Sequence, residues 1–202
     1  MIIFLGVEID NKLLWTSHIK HICNKISKSI GILRLLRHSF PNYIVKMIYM
    51  SLIYSYINYC NVVWGSAYNN HLNPLVVLQK KAVRIINKSN YDAESAPIFH
   101  TLRLLNISNI HKLNCLIFMY NCLTKNKFPV FRNKISENAF SHDYNTRQRG
   151  QLNSPFERLE ICKRSFLCKG ICLWNNLDIN VKCSNFNSFK KIIKCRLISE
   201  DK

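Results

Sequence analysis

Acidic residues are what this 202-residue chain has least of: 11 Asp plus Glu stand against 29 Lys plus Arg, a formal net charge of +18. From Asn11 to Tyr91 there is none, while 11 Lys or Arg occur, and Ser95 to Ser136 is again acid-free with six basic residues. The remainder, Glu137 to Lys202, carries 12 basic against seven acidic. Metal-assisted phosphoryl transfer and paired-carboxylate chemistry both need convergent carboxylates. Glu8 and Asp10 would share one face of an apolar Ile2–Ile9 run that reads as a strand. They are the nearest approach to such a pair, and no further acid follows before Asp92. A metal site there is rejected.

Other absences exclude other chemistries. There is no G-x-G-x-x-G, no P-loop and no G-x-S-x-G, so nucleotide cradles and the common hydrolase elbow are not expected. Nine cysteines are scattered without any Cys-x-x-Cys, and no histidine follows His142. Cys168 and Cys172 stand one turn apart, on what reads as an apolar helix face, where cysteine serves as a small hydrophobe rather than a zinc ligand. His18 and His21, near Cys23, read as part of a solvated basic face. No metal and no cofactor is expected. Met47 to Gln79 contains no Asp, Glu, Lys or Arg, yet it is broken by serines, asparagines and five tyrosines. No run of 18 strongly apolar residues emerges, so a buried helix is the better reading and no membrane partner is expected. The N-terminus lacks the basic flank of a secretory signal. An odd, dispersed cysteine count fits free thiols in a reducing compartment, hence an intracellular protein, cytoplasmic or nuclear.

What is present is helical periodicity. Thr16 or Ser17 can cap a helix to about His38, with Ile19, Ile22, Cys23, Ile26, Ile30 and Leu33 on its apolar face. His18, His21, Lys25 and Lys28 fall on its other side, and Gly31 weakens its last turns. Pro41 suits the first turn of a second helix over 42–60, whose face is drawn through Ile44, Ile48, Leu52, Ser55 and Tyr59. An Asn-rich turn to Pro74 precedes a helix from Leu75 to Lys88. Its apolar face holds Leu75, Leu78, Ala82, Ile85 and Ile86, and its basic face Lys80, Lys81, Arg84 and Lys88. Further helices are expected over 96–105, 108–123, 163–177 and 188–198, with a long loop or linker over 130–155. Trp64 and Trp174 read as core anchors.

Four blocks, in order along the chain, carry a resemblance. The run FLGVEIDNKLLWTSHI occupies residues 4–19. Tyr54, Ile57, Tyr59 and Cys60 lead to Val63-Trp64-Gly65. Leu78-Gln79-Lys80-Lys81-Ala82-Val83-Arg84-Ile85-Ile86 forms the third. Tyr144-Asn145-Thr146-Arg147, Arg164-Ser165-Phe166, Gly170, Leu173-Trp174-Asn175-Asn176-Leu177 and Phe189-Lys190 form the last. Together they resemble the end of the palm, the thumb and the downstream region of reverse transcriptases from non-LTR (LINE, jockey-like) retrotransposons. Asp178 stands where that family usually has a proline.

The resemblance implies a mainly α fold: a helical thumb-like bundle with a short N-terminal strand left over from a palm, then a small helical C-terminal region. The corresponding division is 1–15 for the palm-end strand, 16–129 for the helical thumb-like domain, 130–155 for the linker and 156–202 for the last region. That strand would lack its sheet partners and form an exposed edge. The family's metal-binding aspartates lie upstream of the first block, and this chain contains no Phe/Tyr-x-Asp-Asp. RNA-directed DNA polymerase activity is therefore not expected of this chain alone. The expected partners are an RNA/DNA duplex and the missing palm. Lys25, Lys28, Lys80, Lys81, Arg84 and Lys88 are the candidate phosphate contacts. The alternative is a non-enzymatic basic helical module, a transposon remnant or domesticated piece, binding nucleic acid non-specifically or a protein partner.

Overall fold

The computed structural model describes residues 2–136 and 151–200. The architecture is mainly helical, with one short N-terminal sheet. Two compact units are distinguished: Met1–His111 with Arg196–Lys202, and Lys112–Cys195. Of the expected 130–155 linker, residues 137–150 lie outside the described residues, as does the block Tyr144 to Arg147.

In the first unit, the single strand expected over Ile2–Ile9 is instead a tight antiparallel hairpin. β1 (Ile2–Phe4) pairs with β2 (Val7–Ile9), in the register Ile2 to Ile9, Ile3 to Glu8 and Phe4 to Val7. Leu5 (φ 47°) and Gly6 (φ 78°) make the two-residue turn. Positive φ at both centres is the mark of the hairpin turn that matches strand twist, and glycine supplies it without steric cost. The strand thus finds its partner locally, and no other described strand pairs with the outer edge of β1.

α1 (Thr16–Ser39) buries Ile19, Ile22, Ile26, Ile30 and Leu33 as their spacing dictates. Gly31 does not shorten it. Neither Thr16 nor Ser17 caps it: Trp15 takes the cap position in a left-handed conformation with no side-chain hydrogen bond. The capping is done by the two acids upstream. Asp10 accepts the amides of Lys12, Leu14 and Trp15 at 3.0, 2.9 and 2.8 Å. Glu8 accepts from the Ser17 hydroxyl and faces His21 Nδ1 at 3.3 Å. Negative charge at a helix N-terminus is stabilising. The only two acids among the first 91 residues are thus engaged there.

α2 (Asn42–Tyr49), a π-helical segment (Met50–Tyr54) and α3 (Ser55–Asn58) follow one another as a continuous rod, with Pro41 at its N-cap. Its buried line is Val45, Tyr49, Ile53 and Ile57, not the expected Ile44, Ile48, Leu52, Ser55 and Tyr59. A strict four-residue spacing drifts around an ordinary helix of about 3.6 residues per turn. Widening to i→i+5 bonds in mid-rod offsets that drift and keeps the four side chains in line.

α4 (Asn61–Trp64) follows, and Trp64 is wholly buried, its Nε1 donating to the Tyr59 carbonyl at 2.8 Å. Gly65 is required by space. A Cβ there would stand 2.4 Å from the Asn61 carbonyl oxygen and 2.5 Å from His111 Nδ1. α5 (Asn69–Ile86) starts earlier than expected and carries Pro74 inside it, within its second turn. It packs along α1 and buries Leu75, Gln79, Ala82, Val83, Ile85 and Ile86. Gln79 takes a core place because its amide donates to both Tyr49 Oη and the Leu105 carbonyl, each at 3.0 Å. α6 (Ser95–Thr101) and the beginning of α7 (Ile107–Leu123) complete this unit.

In the second unit, the later part of α7 presents Phe118 to Phe128, Phe131 and Phe166, with ring centroids 4.7, 5.4 and 4.8 Å away. Tyr120 meets Trp174, Phe186 and Phe189. α8 (Pro129–Arg132) is a single turn within the expected loop. The helix expected over 163–177 is broken into α9 (Glu160–Lys163) and α10 (Phe166–Asn175) by Ser165. The Ser165 hydroxyl accepts the Cys168 amide at 3.5 Å as the N-cap of α10. Asn175 then pins the returning chain. Its side chain exchanges two hydrogen bonds of 2.9 Å with the backbone of Leu152. α11 (Ile179–Lys182) and α12 (Phe186–Ser199) end the chain. Asp178 precedes α11 with φ −64°, a value proline holds natively. Cys172, expected on an apolar face, is exposed, while Ile171 and Trp174 take the buried positions.

Candidate nucleic-acid interface

The six cations singled out by sequence fall on two helices and one turn. Lys25 and Lys28 are exposed on α1, on the side away from Ile19, Ile22 and Ile26. Lys80 and Arg84 are four residues apart on α5, so they lie above one another on one line. Lys80 is exposed and Arg84 half-buried, its Nε donating to the Ala93 carbonyl at 2.7 Å. Lys81 is half-buried, with its ammonium 5.9 Å from the centre of the Tyr91 ring. Lys88 lies beyond the end of α5, with φ 57°. There the Lys88 amide bonds back to Ile85 and the Ser89 amide to Arg84, closing the helix as a Schellman turn.

The division of labour follows from these contacts. The side chains of Lys25, Lys28, Lys80 and Lys88 make no hydrogen bond or ion pair with any described residue, and their charges face solvent. Lys81 and Arg84 also serve the fold, holding the segment that follows α5. α1 and α5 pack by their apolar faces, which leaves the cations of each on its outer side. No acid of this stretch is placed to neutralise them, since Glu8 and Asp10 are held at the start of α1.

His18 departs from expectation. Read as solvated, it is only 3 % exposed. Its Nδ1 accepts the Glu8 amide at 3.4 Å, so the neutral ring carries its proton on Nε2. Its ring stands edge-on to Trp64, with centroids 5.8 Å apart. Burial pushes its pKa down; the Glu8 charge opposes that shift and His21 adds to it. The signal that could have revealed it is its position between Ile19 and Trp15 at the start of the helix, next to the buried stripe. His21 remains exposed. Beside them a cavity of about 420 Å³ opens between the hairpin turn and the π-containing rod, lined by Leu5, His18, His21, Tyr56 and Tyr59. Leu5 lines it, and Ile2, Ile3 and Phe4 of the same hairpin are exposed as well.

Among the described residues no group of three or more His, Cys, Asp or Glu side chains converges in a way that could hold a metal ion. Burial pushes the Cys115 thiol up to about 12, with Lys169 opposing, so it stays protonated. Among the described residues no helix is long and apolar enough to cross a membrane. Comparison with protein-family models, with curated proteins and with solved structures gives no match.

Proposed function

We propose that this chain is the duplex-holding portion of a reverse transcriptase of the non-LTR retrotransposon kind, binding RNA/DNA duplex through its basic helices while catalysis is supplied elsewhere. The observation that carries the reading is the set of cations on α1, α5 and the turn after it that make no ion pair with any described residue, in a stretch, residues 1–91, whose only acids are engaged at a helix N-terminus. Such an arrangement leaves a field that concentrates polyanions. The ordered resemblance of the four blocks names the polyanion. The absence of a Phe/Tyr-x-Asp-Asp run in the sequence assigns a holding role rather than a chemical one.

The test is the affinity of the chain for an RNA/DNA hybrid and for double-stranded DNA of the same sequence, over a range of salt. Binding should weaken linearly in log–log form. Lys→Gln at 25, 28, 80 or 88 removes one cation from the phosphate backbone and should reduce the slope by about 0.9 each time. A preference for hybrid supports the reverse-transcriptase reading. Affinity indifferent to salt, or to all four substitutions together, overturns it.

A second reading is a non-enzymatic module with a protein partner. The exposed apolar hairpin favours it, because an isolated two-strand ribbon gains stability when its open edge is covered.

A further inference from the structure

The cavity beside the hairpin turn has a wall that the phosphate contacts leave unused. Leu5 and Ile22 make part of it apolar, and His21, Tyr56 and Tyr59 bring rings to it. Those three residues are exposed. His18 completes the wall, and no carboxylate is among the lining residues.

We propose that this cavity takes one unpaired nucleobase of a nucleic-acid strand, its faces against the rings of His21, Tyr56 and Tyr59 and an acceptor of its edge at His18 Nε2. The inference rests on the nucleic-acid reading above and adds a base contact to a surface otherwise read through phosphate contacts alone.

Three observations converge. The first is a buried donor without an acceptor. His18 Nδ1 is taken by the Glu8 amide, so the ring proton sits on Nε2. Nε2 is buried and has no hydrogen-bond partner. Trp64, edge-on to the ring, offers no nitrogen or oxygen acceptor: its one polar side-chain atom is a donor, already used on the Tyr59 carbonyl. A buried donor left unsatisfied is costly, and a group that brings an acceptor removes the cost. The second is preorganisation. Glu8 engages both imidazoles, His18 through its amide and His21 through its carboxylate at 3.3 Å. The Tyr59 hydroxyl donates to the Leu5 carbonyl at 2.7 Å and so ties the hairpin turn to the rod. Rings fixed in advance lose little freedom when a ligand arrives. The third is place. His21, Lys25 and Lys28 recur at i, i+4 and i+7 on α1 and form one line. Lys25 stands about 6 Å along the axis from His21. A strand whose phosphates follow Lys28 and Lys25 meets the cavity with its next nucleotide. An aliphatic or phenyl side chain would fill the cavity and leave Nε2 unsatisfied. A nucleobase brings flat faces and in-plane acceptors together, and every base has both, so the site tolerates sequence.

The experiment uses the full chain and three probes: a blunt RNA/DNA hybrid, the same hybrid with a single-stranded extension, and that extended hybrid with the bases of its extension removed. Affinity is measured for each, and the His18 ring nitrogens are followed by magnetic resonance. The extension that keeps its bases should bind about 5- to 150-fold tighter than the abasic one, the worth of one stacked base, and should shift the Nε2 resonance. Both extensions carry the same charge, so counterion release cannot produce the difference. Tyr56→Leu should remove most of that gain and leave affinity for the blunt hybrid unchanged, and His18→Gln should reduce the gain. Tyr56 is exposed, so its variant keeps the test valid should His18→Gln fail to fold. If the two extensions bind equally, if the gain survives Tyr56→Leu, or if the Nε2 resonance stays still, the base subsite is overturned while the duplex reading stands. If N-acetyltryptophanamide moves that resonance and the extension does not, the cavity takes a protein side chain and the base assignment is overturned. If none of the three probes binds, both readings fall.

Discussion

Lys88 is the residue where fold and proposed function pull apart most plainly. It occupies the left-handed position that closes α5, where glycine fits without a Cβ penalty. Lys88→Gly should therefore raise stability by about 0.5–1 kcal/mol while removing one solvent-facing cation. The check is a urea midpoint that rises together with a hybrid affinity that falls. If both rise, Lys88 is no phosphate contact. His18 gives a second prediction at this scale. Its folded-state pKa is lowered, chiefly by burial, from the ordinary 6.5. As pH falls below about 6.5, the unfolded chain takes up a proton that the folded chain refuses, so stability must fall. The contribution is complete above that value and is lost as pH drops toward the folded-state value. Urea midpoints between pH 7.5 and pH 5 (roughly one unit either side of the ordinary histidine range) should decline for the parent chain and decline less for His18→Gln. Equal slopes would mean that His18 is not held neutral. From the sequence His18 reads as part of a solvated basic face. The sequence does not show that the Glu8 amide, ten residues back, turns to cap the ring.

At the scale of elements, legibility follows the range of the force involved. In α1 the Ile and Leu stripe repeats at the helical period and is buried as one face, while the cap and His18, fixed by contacts with Glu8 and Asp10, are not legible. The α2 rod misleads by one residue. Its apolar side chains cover most of its circumference, and only the π-helical segment, a response to packing, selects Val45, Tyr49, Ile53 and Ile57. The start of α5 is hidden because Pro74 reads as a stop, yet it falls early in the helix, where few amide bonds are sacrificed. The hairpin is hidden because the run on both sides of Leu5-Gly6 is apolar apart from Glu8, so no alternation marks the turn. The candidate phosphate-binding lysines are visible as a pattern, whereas the contacts that hold Lys81 and Arg84 to the segment after α5 are not. The loop from Asp10 to Trp15 is the element with the sharpest test. Burial pushes the Asp10 carboxyl up, but the amides of Leu14, Trp15, Lys12 and Leu13 outweigh it and hold it below its usual value. Asp10→Ala should cost about 1–2 kcal/mol, as loss of a cap does. The loss should show first as faster hydrogen exchange in the opening turns of α1, with the later turns unchanged. Uniform exchange along α1 would mean that the loop does not hold its N-terminus.

At the scale of the whole molecule, +18 is a force on the fold as well as on a ligand. Like charges crowded on a compact surface oppose compaction, and salt relieves them, the Debye length shrinking from about 10 Å at 0.1 M to about 3 Å at 1 M. The free chain should therefore melt higher as salt is added. Nucleic-acid binding responds in the opposite sense, since each neutralised phosphate releases counterions whose return high salt favours. A ligand at 100 times its dissociation constant stabilises the folded state by about 2.7 kcal/mol. For a chain of this size that is a rise of roughly 5–10 °C. Melting the chain with and without an RNA/DNA hybrid, at about 0.05 M and about 0.5 M salt, puts the two effects on one axis. The hybrid should raise the midpoint at low salt. At high salt the two midpoints should converge, the free one having risen and the bound one having shed its ligand. If the free chain melts lower in salt, the excess charge is already neutralised within the fold. The uncompensated cations of α1 and α5 would then cease to be an argument for a polyanionic partner.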